Sequence, residues 1–343
     1  MKRFGMLSKS LVALALVAAA GASAAADPVR LKFASFVGPD NLLNTRIFNA
    51  FIENVNRDSQ GTLEIKMFPG ATLAKPTEVL QAVENGVADM GWGLVGYHPG
   101  RFKAATVAEL PLDARDSRET SLAMWRLASR GMIDGFDRVK LLSLTTSEVS
   151  YIHLNNKGDI DSLKGRKIRT SGPISARVIQ TLGGTPIQMP VSQTAEALSK
   201  GVLDGTIADW FAVRAFNFME STKSHIDLPM GAGSAAYLIM RKETYDGLPA
   251  PAKAAIDKHS GEAFARFFGT TLYGMDRESR TMLATNPAHN IVQYKESDAK
   301  TKAVRQRLGV VVDQWAADTP KGAETLKAYK EELAKARKEV DKQ

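Results

Sequence analysis

The sequence contains no cysteine in its 343 residues, and this absence removes several kinds of chemistry at once. A chain without thiols forms no disulfide bond, has no thiolate nucleophile and cannot hold a metal ion through cysteine. If such a chain is exported, it depends on a hydrophobic core rather than on disulfide bonds for its stability. Its composition, with 44% hydrophobic and 24% charged residues, is that of a globular protein able to build a core.

Recognisable catalytic motifs are also missing. The sequence has no G-x-S-x-G elbow, no G-x-x-x-x-G-K phosphate loop and no G-x-G-x-x-G motif after a strand. The carboxylates Asp159 and Asp161 lie in a turn-like segment, where capping of backbone N–H groups is the simpler role. Histidine is scarce, and no two histidines have the spacing of a metal-binding helix: His98, His153, His225, His259 and His289. We therefore expect no catalytic residue, no metal and no cofactor, and a protein that is not an enzyme.

Charge of one sign is not concentrated anywhere in the chain. The net charge of +8 comes from 45 basic and 37 acidic residues. Three of the basic residues (Lys2, Arg3 and Lys9) lie in the first 26 positions, which leaves 42 against 37, or +5, for the rest. A nucleic-acid surface would show clustered Lys and Arg, so we expect no nucleic-acid partner. A modest positive charge does favour the approach of small anions.

The one long apolar run lies at the N-terminus, from Leu11 to Ala20. It follows the basic residues and precedes three alanines at 24–26, which is the order of a secretory signal peptide. A helix of about 10 residues is too short to span roughly 30 Å of hydrocarbon. We therefore predict a signal peptide over 1–26, with a retained N-terminal anchor as the alternative. The remaining 317 of the 343 residues are enough for two domains.

Beyond residue 27, strand patterns alternate with helical ones, which indicates an α/β protein with largely parallel sheets. The predicted strands cover 29–37, 62–68, 87–94, 141–154 and 166–170. The predicted helices cover 42–57, 77–84, 175–182, 254–282 and 320–343. The last helix mixes both signs of charge, so we expect it to dock on the protein surface and not on a membrane.

One internal similarity suggests two lobes. Residues 81–89 and 196–204 both read as a helix end, a glycine suited to a left-handed conformation, and the start of a strand. Each is followed closely by a tryptophan, at Trp92 and Trp210. The similarity predicts two sheets of related topology, and chance likeness of two helix–strand joints is the alternative.

The segment 161–170 carries the most informative charges. Lys167, Ile168 and Arg169 form a short strand in which Lys167 and Arg169 share one face. An arginine at a strand end can offer its guanidinium to a carboxylate through two parallel hydrogen bonds. A solvated arginine at a strand edge is the alternative.

Taken together, several short motifs resemble the solute-binding proteins of tripartite ATP-independent periplasmic (TRAP) transporters, the DctP type, over about residues 29–310. In order, these motifs are Leu31-Lys32-Phe33-Ala34, Phe68-Pro69-Gly70, Gly86-Val87-Ala88-Asp89, Gly165-Arg166-Lys167-Ile168-Arg169, Thr185-Pro186, Met189-Pro190-Val191-Ser192 and Lys200-Gly201-Val202-Leu203-Asp204-Gly205. The resemblance implies a two-lobed periplasmic binding protein fold with hinge strands and a long helix spanning both lobes. It also implies a location in the periplasm and a partnership with the small and large TRAP membrane permease subunits. We expect a monomer.

The resemblance also implies a ligand site. The carboxylate-binding arginine of the family falls on Arg169, and the other candidate cleft residues are Phe36, Trp92, Tyr151, Asp209 and Trp210, with Tyr97 as a further candidate. For each aromatic residue, plain core packing is the alternative. Some members that bind sialic acids carry a second arginine about 20 residues earlier, where this chain has none in Ser150-Tyr151-Ile152-His153. This departure favours a monocarboxylate over dicarboxylates and sugar acids, with aromatic acids among the candidates.

The resemblance, together with the alternation of elements, leads to a definite expectation. Lobe I would hold 27–149 and 234–274, and lobe II would hold 150–233 and 275–343. The expected function is the capture of a small organic acid by Arg169 between the lobes and its delivery to the permease. Two other functions stay open: a ligand-sensing receptor for a sensor kinase, and a periplasmic enzyme acting on an organic acid.

Overall fold

The structure is a computed structural model that describes residues 27–342. The predicted signal peptide over 1–26 lies outside the described residues. Within 27–342, no helix has the length and apolar character that crossing a membrane requires.

Strands and helices alternate along the described residues. The strands are β1 (Val29–Ala34), β2 (Leu63–Phe68), β3 (Met90–Leu94), β4 (Val139–Thr146), β5 (Tyr151–Leu154), β6 (Lys167–Thr170), β7 (Thr185–Gln188), β8 (Gly205–Ala208), β9 (Ser224–Asp227), β10 (Ala235–Arg241) and β11 (Asn290–Gln293). The α-helices are α1 (Asn49–Asp58), α2 (Val79–Glu84), α3 (Ser117–Ser129), α4 (Pro173–Thr181), α5 (Thr194–Ser199), α6 (Trp210–Ala215), α7 (Lys242–Asp246), α8 (Ala250–His259), α9 (Gly261–Thr285), α10 (Ala299–Asp318) and α11 (Gly322–Val340). This alternation matches the predicted α/β class.

The strands form two sheets, one in each lobe. The first has the order β2-β1-β3-β10-β4, with β1 parallel to β2 and β3, and β10 antiparallel to β3 and β4. The second has the order β11-β9-β5-β8-β6-β7 and is also mixed. In β1, Leu31 and Phe33 are buried while Arg30 is exposed, as the period of two along a strand requires.

The chain crosses between the sheets in two short segments, 147–150 and 228–234. The first joins β4 to β5 and divides the extended stretch that the sequence predicts as continuous over 141–154. The second joins β9 to β10, so β10 returns to the first sheet beside β4. These adjacent crossings form the hinge region between the lobes.

The long helix α9 connects the lobes, because it packs on α3 and β4 in lobe I and on α6 in lobe II. The sequence predicts one continuous helix over 254–282. The structure divides this segment into α8 and α9, so α9 begins later than predicted. Ser260 has an extended backbone, with φ of −100° and ψ of −169°. The next residue, Gly261, has a φ of +62°, a left-handed conformation that glycine adopts without strain. The sequence pattern alone did not reveal this break.

The C-terminal helices divide between the lobes. Helix α10 packs on α4 of lobe II, whereas α11 packs on α3 of lobe I. Arg126 of α3 forms an ion pair with Glu339 of α11 at 2.9 Å. Arg337 of α11 forms a second ion pair, at 2.8 Å, with the buried Glu119 of α3. The predicted assignment of the whole of 275–343 to lobe II therefore does not describe α11, because these ion pairs fix it to lobe I. As predicted, α11 docks on the protein surface.

The internal similarity has the same geometry in both lobes. Gly86 and Gly201 have φ values of +75° and +68°. After each glycine, an aspartate accepts a hydrogen bond from a backbone N–H of the neighbouring strand. Asp89 accepts from Lys32 of β1 and Asp204 accepts from Lys167 of β6, both at 2.8 Å. The two helix–strand joints are therefore equivalent parts of two related sheets.

Candidate ligand-binding site between the lobes

A cavity of about 70 Å³ lies where the two lobes meet. It is several times larger than the roughly 10–15 Å³ that one buried water molecule needs. Its apolar lining consists of Phe36, Leu43, Trp92, Leu94, Val191, Ile207, Ala208, Phe211, Ala212, Phe216, Phe268 and Leu272. Its polar lining consists of Ser147, Ser150, Arg169, Ser171, Ser175, Asp209 and Ser234. The cavity is therefore mainly apolar, with Arg169 as its one cationic residue among those described.

Arg169 is buried on β6, which lies between β8 and the edge strand β7 of the second sheet, and 3% of its surface is exposed. Its Nε donates to the backbone oxygen of Met189 at 3.0 Å, which fixes the direction of the guanidinium. Its Nη2 is buried and has no hydrogen-bond partner within residues 27–342. Burial lowers the pKa of Arg169, and the nearby Tyr97 and Asp209 oppose this effect. Part of the guanidinium fork is thus free to donate to an acid.

Aromatic rings from lobe I cover one side of the cavity. Phe36 follows β1 and stacks on Trp92 of β3, with ring centroids 5.4 Å apart and an interplanar angle of 25°. Phe268 of α9 adds a third ring, 6.3 Å from that of Trp92. The indole Nε1 of Trp92 is buried and has no acceptor within the described residues. These rings offer an apolar surface against which a planar ligand body can stack.

Hydrogen bonds between the lobes close the cavity. The hydroxyl of Tyr97 in lobe I accepts from the backbone N–H of Val191 in lobe II at 2.9 Å. On the other side, Asn41 donates from Nδ2 to the backbone oxygen of Ala215 at 2.8 Å. The lobes also touch at Gly96, where an added Cβ would lie 2.8 Å from the backbone oxygen of Ser171. The structure is therefore a closed form.

Asp209 lines the cavity but is already engaged by the backbone. Its Oδ1 accepts from Ala212 N at 2.6 Å and caps α6, while its Oδ2 accepts from Glu148 N in the hinge at 3.2 Å. Burial raises the pKa of Asp209 to about 6. These bonds give Asp209 a role in joining α6 to the hinge, in addition to its position in the cavity wall.

Three predicted site residues do not line this cavity in the described structure. Tyr97 lies behind Phe36, at 6.4 Å between ring centroids, and acts through its interlobe hydrogen bond. The rings of Tyr151 and Trp210 lie 5.2 Å apart between centroids, and Trp210 is fully buried in the hydrophobic core. The ring of Trp210 packs edge-on against that of His153, with centroids 5.0 Å apart.

The same core contains a chain of histidines that the sequence did not predict. His153 Nδ1 lies 2.8 Å from His225 Nδ1, and His225 Nε2 lies 3.0 Å from His289 Nδ1. His153 Nε2 lies 3.1 Å from the backbone oxygen of Ala208. Burial lowers the pKa of His153 to about 4, so these rings are neutral and bonded to one another. Among the described residues, no group of three or more His, Cys, Asp or Glu side chains is arranged to hold a metal ion.

Several lining residues were not predicted from the sequence. Phe268 and Leu272 lie four residues apart on α9 and therefore share one face, but helical periodicity does not say which neighbour that face meets. The five serines come from the hinge, from the residue after β6 and from the first turn of α4, and no sequence pattern links them.

The fold and the cavity define the class of protein: a two-lobed α/β protein that encloses a small solute. The sequence matches the family model of bacterial extracellular solute-binding protein, family 7 (DctP), over residues 33–318. Because this match covers most of the chain, the protein belongs to that family. TRAP solute-binding proteins of this kind bind small organic acids and work with membrane permease subunits.

Individual relatives agree with this assignment. The chain is 23% identical to the C4-dicarboxylate-binding periplasmic protein DctP of Rhodobacter capsulatus, over 93% of this chain and 95% of the relative. A TRAP solute-binding protein of Rhodoferax ferrireducens, solved with copurified benzoate, is 25% identical with a TM-score of 0.86, covering 91% and 99% of the two chains. A marine metagenome TRAP protein specific for aromatic acids, solved with 3-hydroxybenzoate, is 28% identical with a TM-score of 0.84, covering 90% and 99%.

Proposed function

We propose that this TRAP solute-binding protein captures an aromatic monocarboxylate, whose carboxylate pairs with Arg169 and whose ring lies against Phe36 and Trp92. The single observation that carries the proposal is the buried Nη2 of Arg169, which lines the cavity without a partner among the described residues. A buried polar group without a partner costs about 1–3 kcal/mol, and a carboxylate ligand removes this cost.

The lining favours one carboxylate over two. Arg169 is the only Lys or Arg among the described residues that line the cavity, and Asp209 adds a carboxyl to the same wall. A second carboxylate on the ligand would lose its hydration without gaining a cation. The aromatic surface provided by Phe36, Trp92 and Phe268 is, by contrast, suited to a ring. Benzoate and 3-hydroxybenzoate in the two similar structures support the same ligand class.

Capture would couple ligand binding to closure of the lobes. Arg169 belongs to lobe II and Trp92 to lobe I, so a ligand that contacts both stabilises the closed form over the open one. Exclusion of water then strengthens the Arg169–carboxylate pair, because the local dielectric falls. Tyr97 links the two events, since it interacts with Arg169 and accepts the hydrogen bond from Val191.

The remaining parts of the proposal concern the location, the oligomeric state and the partners of the protein. The protein would act in the periplasm after removal of the predicted signal peptide, as a monomer, and would release its acid chemically unchanged to the small and large permease subunits. The named periplasmic relative supports this location.

Calorimetric titration with a panel of acids tests the proposal. Benzoate is expected to bind, cyclohexanecarboxylate to bind more weakly, and succinate to bind weakest or not at all. Mass spectrometry of the acid that copurifies with the exported protein would identify the natural ligand. Tighter binding of succinate than of benzoate would overturn the proposed ligand class.

A further inference from the structure

A small side chamber adjoins the ligand cavity, and five of its ten lining residues are polar. Four serines line both spaces: Ser150, Ser171, Ser175 and Ser234. Glu109 lines the chamber and not the main cavity, and it is 6% exposed. The chamber has room for a group of about the size of one water molecule. It is therefore an annex in which polar residues form a larger share of the lining than in the main cavity.

The serine hydroxyls of the annex form a connected network. Ser234, at the end of the hinge segment 228–234, donates from Oγ to Ser171 Oγ at 2.8 Å. Ser171 Oγ lies 3.4 Å from Ser175 Oγ, which in turn donates to the backbone oxygen of Gly172 at 3.0 Å. Each hydroxyl has one proton and two acceptor sites and can rotate. The network can therefore accommodate either a donor or an acceptor on a ligand.

Glu109 limits which groups the annex can accept. Its Oε1 accepts from the backbone N–H of Ala235 at 3.1 Å, and burial raises its pKa to about 7. Among the described residues that line the annex, none is Lys or Arg. A carboxylate group would meet a second carboxyl and no cation there, and its three heavy atoms exceed the space. A single hydroxyl meets neither obstacle.

The annex and the arginine belong to one continuous site. Arg169 on β6 and Ser171, the first residue after β6, both line the main cavity, and Ser171 also lines the annex. A ring bound through Arg169 can thus direct a hydroxyl toward Ser171 and Ser234.

We propose that the annex receives a ring hydroxyl of the ligand, so that the protein selects hydroxylated aromatic acids over unsubstituted ones. This inference rests on the proposed function and adds the feature that distinguishes ligands within the class. The serines and Glu109 are then specificity-determining residues of the site that Arg169 anchors.

Calorimetry with four probes tests this proposal: benzoate, 3-hydroxybenzoate, 4-hydroxybenzoate and isophthalate. The wild-type protein is expected to bind one hydroxybenzoate about tenfold more tightly than benzoate, the effect of one net hydrogen bond. Ser171→Ala and Ser234→Ala are each expected to reduce this ratio to about threefold or less. Ser199→Ala, which changes an exposed serine on α5, is the matched control and is expected to keep the wild-type ratio.

The outcomes separate this inference from the proposed function. If benzoate binds but neither hydroxybenzoate binds more tightly, the inference is overturned while the proposed function stands. The same holds if the ratio survives both serine substitutions, or if isophthalate is the preferred acid. If none of the four acids binds, the proposed function falls and the inference falls with it.

Discussion

Two buried polar clusters lie in the same lobe and differ in one respect. In the chain of His153, His225 and His289, each ring is bonded to a neighbour, and the chain ends on the backbone oxygen of Ala208. In the cavity, Arg169 has a buried nitrogen without a partner within the described residues. A satisfied buried cluster stabilises the fold, whereas an unsatisfied one beside a cavity indicates where a ligand binds.

The largest loss of ligand affinity is expected when Arg169, the residue with the unsatisfied nitrogen, is replaced. Arg169→Ala removes the only cation that lines the cavity among the described residues, and it should cost about 2–5 kcal/mol of benzoate affinity, as for a buried charge pair that loses one partner. Arg169→Lys should also weaken binding, because an ammonium group cannot reproduce the planar fork. Calorimetry measures both losses, and circular dichroism checks that the variants fold. Unchanged affinity in Arg169→Ala would remove Arg169 from the site.

The chain of His153, His225 and His289 should instead make the stability of the folded protein depend on pH. Burial lowers the pKa of His153 to about 4, so between pH 6.5 and 4 the unfolded chain binds more protons than the folded one. Stability contributed by neutral His153 is thus present above pH 6.5 and is lost as the pH falls toward 4. The expected loss is on the order of 3 kcal/mol, from about 1.4 kcal/mol per pKa unit.

Urea unfolding of wild type and His153→Asn at pH 7 and pH 4.5 measures this loss. The difference between the two proteins isolates His153, because the buried carboxyls Glu109 and Glu148 contribute to both. The variant should lose less stability on acidification than the wild type. Equal losses in the two proteins would show that His153 does not carry the effect.

A smaller effect is expected where the lobes meet. Tyr97→Phe removes the hydroxyl that accepts from Val191 N and interacts with Arg169, which should cost about 1–2 kcal/mol of ligand affinity. Stability of the ligand-free protein should change less, because the bond forms between lobes. Parallel calorimetry and thermal unfolding separate the two. Equal losses of affinity and stability would make Tyr97 a structural residue only.

The smallest expected effect concerns the aromatic wall. Phe36→Leu keeps an apolar side chain but removes the ring that stacks on Trp92. It should reduce the preference for benzoate over cyclohexanecarboxylate by about 0.5–1.5 kcal/mol, the usual value of an aromatic pair. Competition binding of the two acids measures the change. A preference that persists in the variant would assign ring recognition to other residues, such as Phe268.

The sequence predicted much of the fold and part of the site. The α/β class and the two related sheets follow from strand periodicity and from motifs that lie close together in the chain, whereas Arg169 was predicted as a site residue only from the family resemblance. The break at Ser260 did not follow, because it depends on the backbone conformation at Gly261. Trp210 resembles a cleft residue in sequence, yet its ring turns toward His153, a contact made only by folding.

Some site residues were not predicted from the sequence for the same reason, because their contacts form only on folding. Phe268 is nearly one hundred positions from Arg169 and reaches the cavity only because α9 spans both lobes. Ser171 and Ser234 meet through the hinge, and single serines carry no pattern that would reveal their meeting.

A crystal structure of the protein with bound benzoate would show whether Arg169 receives the carboxylate. We expect a carboxylate oxygen about 2.7–2.9 Å from Nη2 of Arg169, as in a charge-assisted hydrogen bond, with the ring against Phe36 and Trp92. Benzoate bound elsewhere, or bound in this cavity with its carboxylate turned away from Arg169, would contradict this expectation.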